Sequence, residues 1–240
     1  MVRRFRMIAG PNGSGKSTLV RRLREDYSVN FYDFLNADDI FASVSATGAY
    51  SPRFPLSSDE LTAYAERSTY AESVKECFRS GAIHVVDDCV KFDAAAVSSY
   101  TIALFTGFLQ ESALARGESF SQETVFSHPS KIEALRRAQE AGYRTYLYFV
   151  ATDSERINLG RVANRRSQGG HGVPPEKVVE RYARSLAQVK DAIPYLSRGY
   201  FFDNSGPQMV YLGQYSKDVG FAFSVEANRM PRWFRSLGLN

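Results

Sequence analysis

Cysteine is nearly absent. Cys77 and Cys89 are the only two in 240 residues, too few for a disulfide framework in a chain of this length, and no metal-ligand spacing surrounds them. Both read as reduced thiols. A signal-peptide pattern is also lacking, because the three arginines within residues 1–6 run straight into a glycine-rich loop, with no apolar stretch or small-residue cleavage site between. Only residues 94–110 form a long run without charge, close to the ~18 residues at which a membrane span becomes plausible. Ser98, Ser99, Tyr100, Thr101, Thr106 and Gly107 within it point instead to a buried helix, so the chain is expected to be cytoplasmic, with no membrane partner. Internal repeats are missing too. A composition of 44% hydrophobic and 23% charged residues excludes disorder and collagen-like character and suffices for one sizeable core. The net charge of +4 is a mild excess that argues against nucleic acid as the partner. Lysine supplies only seven of the 30 basic residues. The rest are arginine, whose planar fork binds carboxylate and phosphate bidentately.

Strand-like and helix-like segments alternate through most of the chain, the pattern of an α/β domain with a mainly parallel sheet. Residues 5–9 read as a first strand, 17–24 as a helix and 33–36 as the approach to a second strand end. Leu61, Tyr64, Ala71, Val74 and Phe78 recur at helical spacing, with Gly81 as the stop. An apolar strand at 82–86 follows and ends in Asp87 and Asp88. Residues 118–126, 130–141 and 143–150 make a strand, helix, strand unit. A helix at 154–166 gives way at 167–175 to a connection with three glycines and two prolines. Val178, Tyr182, Leu186, Val189, Ile193 and Leu196 then form one apolar stripe of a long helix that Pro175 starts. Residues 200–203 give another strand. Beyond Gly206 a hairpin, 209–215 and 221–225, leads to Trp233 and Phe234, which are expected to dock on the core.

Gly10, Pro11, Asn12, Gly13, Ser14, Gly15, Lys16, Ser17 and Thr18 fit the phosphate-binding loop, and they sit between an apolar strand and a helix, the context that makes the pattern credible. Glycines let successive backbone N–H groups turn inward around phosphate oxygens, and the helix N-terminus adds positive potential. Lys16 would reach the β- and γ-phosphates of ATP, and the Ser17 hydroxyl would hold Mg²⁺. The fold class that follows is an α/β, P-loop NTPase-type three-layer sandwich with a mainly parallel central sheet, a helical lid over 154–184 and a small C-terminal hairpin within an appendage at 206–240. Residues 1–240 are expected to form a single domain.

A phosphate loop alone does not separate switch, motor and kinase. The chain has no Asn-Lys-x-Asp guanine-reading motif and no Leu-Ser-Gly-Gly-Gln signature, and its length leaves little room for AAA-type appendages. Small-molecule kinases of this fold also need a carboxylate near the γ-phosphate and a basic, movable lid. Asp38, in the run 36–40 (NADDI), lies at a strand end where an open parallel sheet lines its ligand crevice, and it is the candidate general base. The alternative is that Asp38 or Asp39 caps the following helix. Asp87 and Asp88 are rivals, because an apolar run ending in Asp also resembles a Walker B carboxylate. Residues 156–184 carry seven basic against two acidic side chains, a net +5 that exceeds the whole chain's +4. Arg161 and Arg165, four apart, share one helix face and could neutralise charge on a transferred phosphoryl group. Gly169 and Gly170 offer a hinge, and His171 is a candidate hydrogen-bond donor in the closed lid.

These pieces, in order, resemble the zeta-toxin family of P-loop kinases: GPNGSGKST at 10–18, NADDI at 36–40, GESFSQETVFS at 117–127, GYRTYLYFV at 142–150, RVANRRSQGGHGVP at 161–174, RYARSL at 181–186 and DNS at 203–205. The resemblance implies an ATP- and Mg²⁺-dependent kinase, the toxin of a toxin–antitoxin pair, which phosphorylates a hydroxyl of a nucleotide sugar such as UDP-N-acetylglucosamine. An antitoxin protein would then be a partner. It matches Lys16 to the loop lysine, Asp38 to the catalytic aspartate, Glu123 and Thr124 to the strand glutamate and its following threonine, and Arg161 and Arg165 to the lid arginines. It favours Asp38 for chemistry and leaves Asp39 for the cap. Asn36, Glu123, Thr124 and His171 form the expected substrate set. One departure is the segment 41–90, which reads as an insertion or a rebuilt acceptor-side wall. Since some relatives phosphorylate NAD, the acceptor could be another nucleotide. The rival from a different class is a nucleotide-dependent switch or RNA-binding protein in which Asp38 is only a cap.

Overall fold

The computed structural model describes residues 2–168 and 173–239, so the expected hinge at Gly169 and Gly170 and the candidate donor His171 lie outside the described residues. The chain divides into two compact units, Met1–Tyr32 with Ser121–Asn240, and Asp33–Phe120. The first unit opens with β1 (Arg4–Ala9) and α1 (Lys16–Glu25). Phe5 and Met7 alternate along β1 and are fully buried, while Leu19 and Leu23, one turn apart on α1, form its buried stripe.

The second unit contains β2 (Asp33–Leu35), α2 (Ala37–Thr47), β3 (Ala49–Tyr50), α3 (Ser58–Glu66), α4 (Glu72–Arg79), β4 (Ile83–Val86), β5 (Cys89–Phe92) and α5 (Ser99–Arg116). Its small sheet is antiparallel in the order β3-β5-β4. The segment 41–90 folds into most of these elements, with Leu61, Phe78 and Ile83 each 2% exposed or less. Cys77 and Cys89 are free thiols here. The uncharged run forms most of α5, where Ile102, Leu104, Phe105 and Leu109 are buried and Phe105 meets Tyr50 and Phe92 edge-on at 5.5 and 5.3 Å. No helix among the described residues is long and apolar enough to cross a membrane.

Two sequence expectations fail in this unit. The helical spacing from Leu61 to Phe78 is split between α3 and α4, because the Ser68 hydroxyl donates to the Ala65 carbonyl at 2.7 Å and accepts from the Tyr70 N–H at 3.4 Å. Such local bonds compete with the helical ladder. The strand ending in Asp87 and Asp88 is β4, but it turns back into β5 with Val86 opposite Cys89. The two aspartates, at φ 49° and 57°, are the central pair of a two-residue hairpin, for which positive φ at both positions matches the twist of the strands. They do not end a parallel strand, as a Walker B carboxylate would.

The first unit resumes with β6 (Phe120–Thr124), α6 (Ser130–Glu140), β7 (Arg144–Ala151), α7 (Glu155–Ser167), α8 (Pro175–Ala192), β8 (Arg198–Asp203), β9 (Val210–Ser216), β10 (Gly220–Phe223) and α9 (Arg232–Ser236). Its strands lie in the order β10-β9-β8-β7-β1-β6. β7 runs parallel to both β1 and β8, with Tyr148 beside Ile8 and Tyr200, and β9 and β10 form the expected antiparallel hairpin. Alternation sorts the side chains onto two faces. Tyr148 stacks on Tyr200 at 5.0 Å on one face. On the other, Phe149 meets Trp233 at 5.7 Å and Phe201 meets Phe234 at 5.4 Å. Trp233 and Phe234 are 3% and 4% exposed, and burial of each such ring contributes about 1.5–3 kcal/mol.

Candidate nucleotide site

The loop between β1 and α1 is drawn tight by its glycines. Gly10, Gly13 and Gly15 sit at φ +150°, +76° and +100°, and each has a neighbour where a side chain would begin. A Cβ at Gly10 would lie 2.0 Å from the Val150 carbonyl oxygen, one at Gly13 2.7 Å from the Asn158 carbonyl oxygen, and one at Gly15 2.2 Å from Asn204 Nδ2. Backbone this close to β7, α7 and the end of β8 admits only glycine. Lys16 is 9% exposed, and its Nζ donates to the Pro11 carbonyl at 3.2 Å. No side chain caps α1 and no acidic residue stands in its first turn, so the helix presents its N-terminal N–H groups to an anion. Ser14 is fully buried and its hydroxyl has no hydrogen-bond partner among the described residues. A buried polar group left this way costs about 1–3 kcal/mol, which a phosphate oxygen would recover. The cradle therefore fits a phosphate chain.

Ser17, exposed at the start of α1, donates from Oγ to Glu123 Oε1 at 3.5 Å. A hydroxyl and a carboxylate oxygen together suit the hard oxygen coordination of Mg²⁺. Among the described residues no group of three His, Cys, Asp or Glu side chains could hold a metal ion, so phosphate oxygens and water would complete any shell.

Helix α7 braces the loop from the other direction. Asn158, fully buried, donates from Nδ2 to the Asn12 carbonyl at 2.7 Å and accepts at Oδ1 from the Thr152 hydroxyl. One turn on, Arg161 Nη1 lies 3.5 Å from the Gly13 carbonyl. Arg165 follows after another turn and is exposed. Tyr182 of α8 donates to the Thr152 carbonyl at 2.7 Å. Burial, with the negative charges of Asp153, Glu155 and Asp203, pushes Tyr182 up to about 12, so it remains a donor.

A family profile described as an AAA domain (AAA_33) matches residues 6–189. The chain belongs to this AAA-domain family. Chain length argues only against AAA-type appendages; the match is to the AAA domain itself. No curated protein matches the chain in sequence. Among solved structures, the AvrRxo1-ORF1:ORF2 complex with ATP superimposes with a TM-score of 0.56 at 14% identity, over 93% of this chain and 61% of that one. The same complex with sulphate ions gives 0.52 at 17% identity, again over 93% and 61%. This AAA domain thus spans about three-fifths of the length of those chains. The likeness shows the fold, an α/β, P-loop NTPase type with a mostly parallel sheet. The PezAT toxin–antitoxin system of Streptococcus pneumoniae, at 13% identity over 99% of this chain and 78% of that one, gives a TM-score of 0.49.

The structure brings Lys16, Ser17, Glu123 and Arg161 of the AAA domain into one unit around the loop. Thr124 ends β6, where its hydroxyl accepts from the Phe126 N–H at 3.2 Å and supports a turn with Phe126 at φ 62°. Asn36, Asp38 and Asp39 stand in the second unit. There the expected cap is corrected. Asn36 occupies the N-cap of α2, its side chain accepting from the Asp38 N–H at 2.9 Å, and both aspartates stand inside the helix's first turn. An aspartate in the first turn instead favours the helix through its dipole. Asp38 is exposed. Asn158 and Thr152 carry no motif in the sequence, and Asn204 stands there only within the run DNS at 203–205. The only signal was an asparagine three residues before Arg161, on the same helix face.

Proposed function

We propose that this AAA domain is an ATP-dependent phosphotransferase of the zeta-toxin type, acting in the cytoplasm, that moves the γ-phosphoryl group of ATP to a hydroxyl of a nucleotide sugar resembling UDP-N-acetylglucosamine. The observation that carries the reading is the approach of Arg161, from a helix far along the chain, to the Gly13 carbonyl of the phosphate loop. A loop that only grips nucleotide needs no such cation, whereas phosphoryl transfer gains from one placed where charge develops. Lys16 and the loop N–H groups hold the phosphates. Ser17, with Glu123 beside it, would hold Mg²⁺, which supplies charge neutralisation on the phosphate oxygens when bound. Asp38 is assigned as the base that orients or deprotonates the acceptor hydroxyl, an assignment supported by the motif at 36–40 and by its exposed carboxylate. Arg165 is assigned to the same phosphates as Arg161, and Asn36, Glu123, Thr124 and His171 to the acceptor side.

Support for ATP as donor comes from the AvrRxo1-ORF1:ORF2 complex, solved with ATP. That structure also holds two proteins, which supports a protein partner of antitoxin type here. The reading is tested by incubating the protein with γ-labelled ATP, Mg²⁺ and a panel of nucleotide sugars and dinucleotides including NAD, and identifying the labelled product by mass spectrometry. Transfer to a nucleotide sugar that is lost in Lys16→Ala and Asp38→Asn is the expected result. Transfer to NAD alone would move the acceptor class, and wild-type transfer by Asp38→Asn would displace Asp38 as base. Hydrolysis that responds only to RNA would sink the kinase reading.

A further inference from the structure

Helix α9 lies beyond the residues matched by the AAA-domain family, yet a continuous set of hydrogen bonds joins it to the nucleotide loop. Trp233 Nε1 donates to Asp203 Oδ1 at 2.8 Å. The same Asp203 carboxylate accepts from the Ser205 hydroxyl at 2.7 Å and from the Ser205 N–H at 3.2 Å. The Ser205 hydroxyl in turn accepts from the Asp153 N–H at 2.8 Å, and Asp153 Oδ1 accepts from the Trp233 N–H at 3.0 Å. These four residues close a ring of bonds around the turn that follows β8. Inside that turn, Asn204 is held by its own N–H on the Ala151 carbonyl at 2.8 Å, and its side-chain amide donates to the Ser14 carbonyl of the loop at 2.9 Å. The fit is close, since a Cβ on Gly15 would stand 2.2 Å from Asn204 Nδ2.

We propose that Trp233 is a positioning residue for the nucleotide site, fixing the turn that sets Asn204 against the phosphate loop, so that the C-terminal helix tunes nucleotide affinity. The inference rests on the reading of residues 10–18 as the nucleotide site. Ring packing does not explain the arrangement. Phe234 on the same helix packs on Phe201 and Phe223 at 5.4 and 6.0 Å, whereas the Trp233 indole both packs on Phe149 and spends its single donor on the Asp203 carboxylate. A carboxylate accepting three bonds has little freedom, and the residue next to it inherits that restraint.

Calorimetric titration of ATP into the full-length protein tests the proposal, with Trp233→Phe, which keeps an aromatic ring and removes the donor, with Asn204→Ala, and with Phe234→Leu as a packing control. Loss of one such bond corresponds to a rise in Kd of about fivefold to tenfold. That rise is expected in Asn204→Ala and, to a lesser extent, in Trp233→Phe, with the double variant no worse than Asn204→Ala because both act along one path. Phe234→Leu is expected to lower Tm and leave Kd within about twofold. Trp233 is the only tryptophan, so its emission gives a second readout. ATP should change it in the wild type and leave it unchanged in Asn204→Ala at saturation. Wild-type Kd in a folded Trp233→Phe, wild-type Kd in Asn204→Ala, or additive effects in the double variant would each overturn the proposal. Should Trp233→Phe fail to fold, Asn204→Ala and the emission readout decide alone. A wild-type protein that binds no ATP would instead sink the nucleotide reading beneath it.

Discussion

The phosphate loop and the Asp87–Asp88 hairpin both hold residues at positive φ, for opposite reasons. In the loop, Gly10, Gly13 and Gly15 take that conformation with neighbouring backbone or side-chain atoms 2.0–2.7 Å from where a Cβ would stand. In the hairpin, Asp87 and Asp88 take it at φ 49° and 57° with exposed side chains. Tertiary neighbours impose glycine on the first, whereas only turn geometry constrains the second, and aspartate tolerates it. The carboxylates at 87 and 88 thus serve the turn, although as a sequence they look like the end of a catalytic strand. A motif is informative when the chemistry dictates the backbone itself, and ambiguous when it asks only for a side-chain type.

Gly13→Ala should break the loop side of this contrast most severely. It places a methyl against the Asn158 carbonyl at 2.7 Å and strains a φ of +76°, which costs about 1–3 kcal/mol of stability. It also separates the loop from the brace that Asn158 provides, so ATP affinity should fall about tenfold or more. Denaturant unfolding and ATP titration of the same variant measure the two effects. Wild-type values for both would mean that the loop relaxes away from α7 freely.

Asn36→Ala comes next. Removal of the α2 cap should cost about 1 kcal/mol, and Asn36→Ser should restore most of it. If Asn36→Ser recovers stability yet still raises the acceptor KM, Asn36 also touches substrate. If both stability and KM recover, its role ends at the cap. A smaller effect of opposite sign is expected in the hairpin. Asp88→Gly relieves the positive-φ cost and gives a gain of about 0.5 kcal/mol or less, offset by glycine's greater unfolded-state freedom. Phosphotransfer should not change. A tenfold loss of transfer in Asp88→Gly would restore this pair as metal carboxylates and collapse the contrast.

Legibility in the sequence follows the same division. The loop, the strand before it, the strand, helix, strand unit from β6 to β7 and the C-terminal hairpin were readable, because spacing and glycine placement are local consequences of backbone geometry. The α8 stripe was legible only in part, since the helix ends at Ala192, short of Ile193 and Leu196, and Ser185 and Gln188 share its buried face with Val178 and Val189. The α3–α4 break was not, since Ser68 acts through hydrogen bonds that helical spacing does not encode. Nor was Asn36 as cap recognised in place of Asp39, because all three polar residues at 36, 38 and 39 are competent caps and only backbone conformation chooses among them. The placement of Glu123 beside Ser17 depends on strand order, which joins residues 106 positions apart in the chain. Asn158 is the plainest case. An asparagine in a basic helix reads as solvent-facing, and only the fold shows it fully buried with both ends of its amide engaged.

The smallest effect concerns the outer layer of that brace. Tyr182 is half-buried and its hydroxyl is pushed from 10.0 up to about 12, by burial first and then by Asp153, Glu155 and Asp203. Because the folded value is the higher one, the unfolded chain gives up this proton first. The contribution is complete below pH 10 and is lost as pH rises toward 12. Tyr182→Phe also loses the bond to the Thr152 carbonyl, so at pH 9 it should be the less stable protein. Its stability should then decline less steeply than the wild type's between pH 10 and 12, and the gap between the two should narrow. Partial exposure screens the charges and keeps the change small, and other tyrosines, such as the partly buried Tyr50, also pushed up to about 12, add an alkaline loss common to both proteins. Urea midpoints at pH 9 and pH 11.5 isolate the difference. A gap that stays constant across that range would show that Tyr182 ionises as it does in the unfolded chain, leaving Asn158 without the outer support assigned to it.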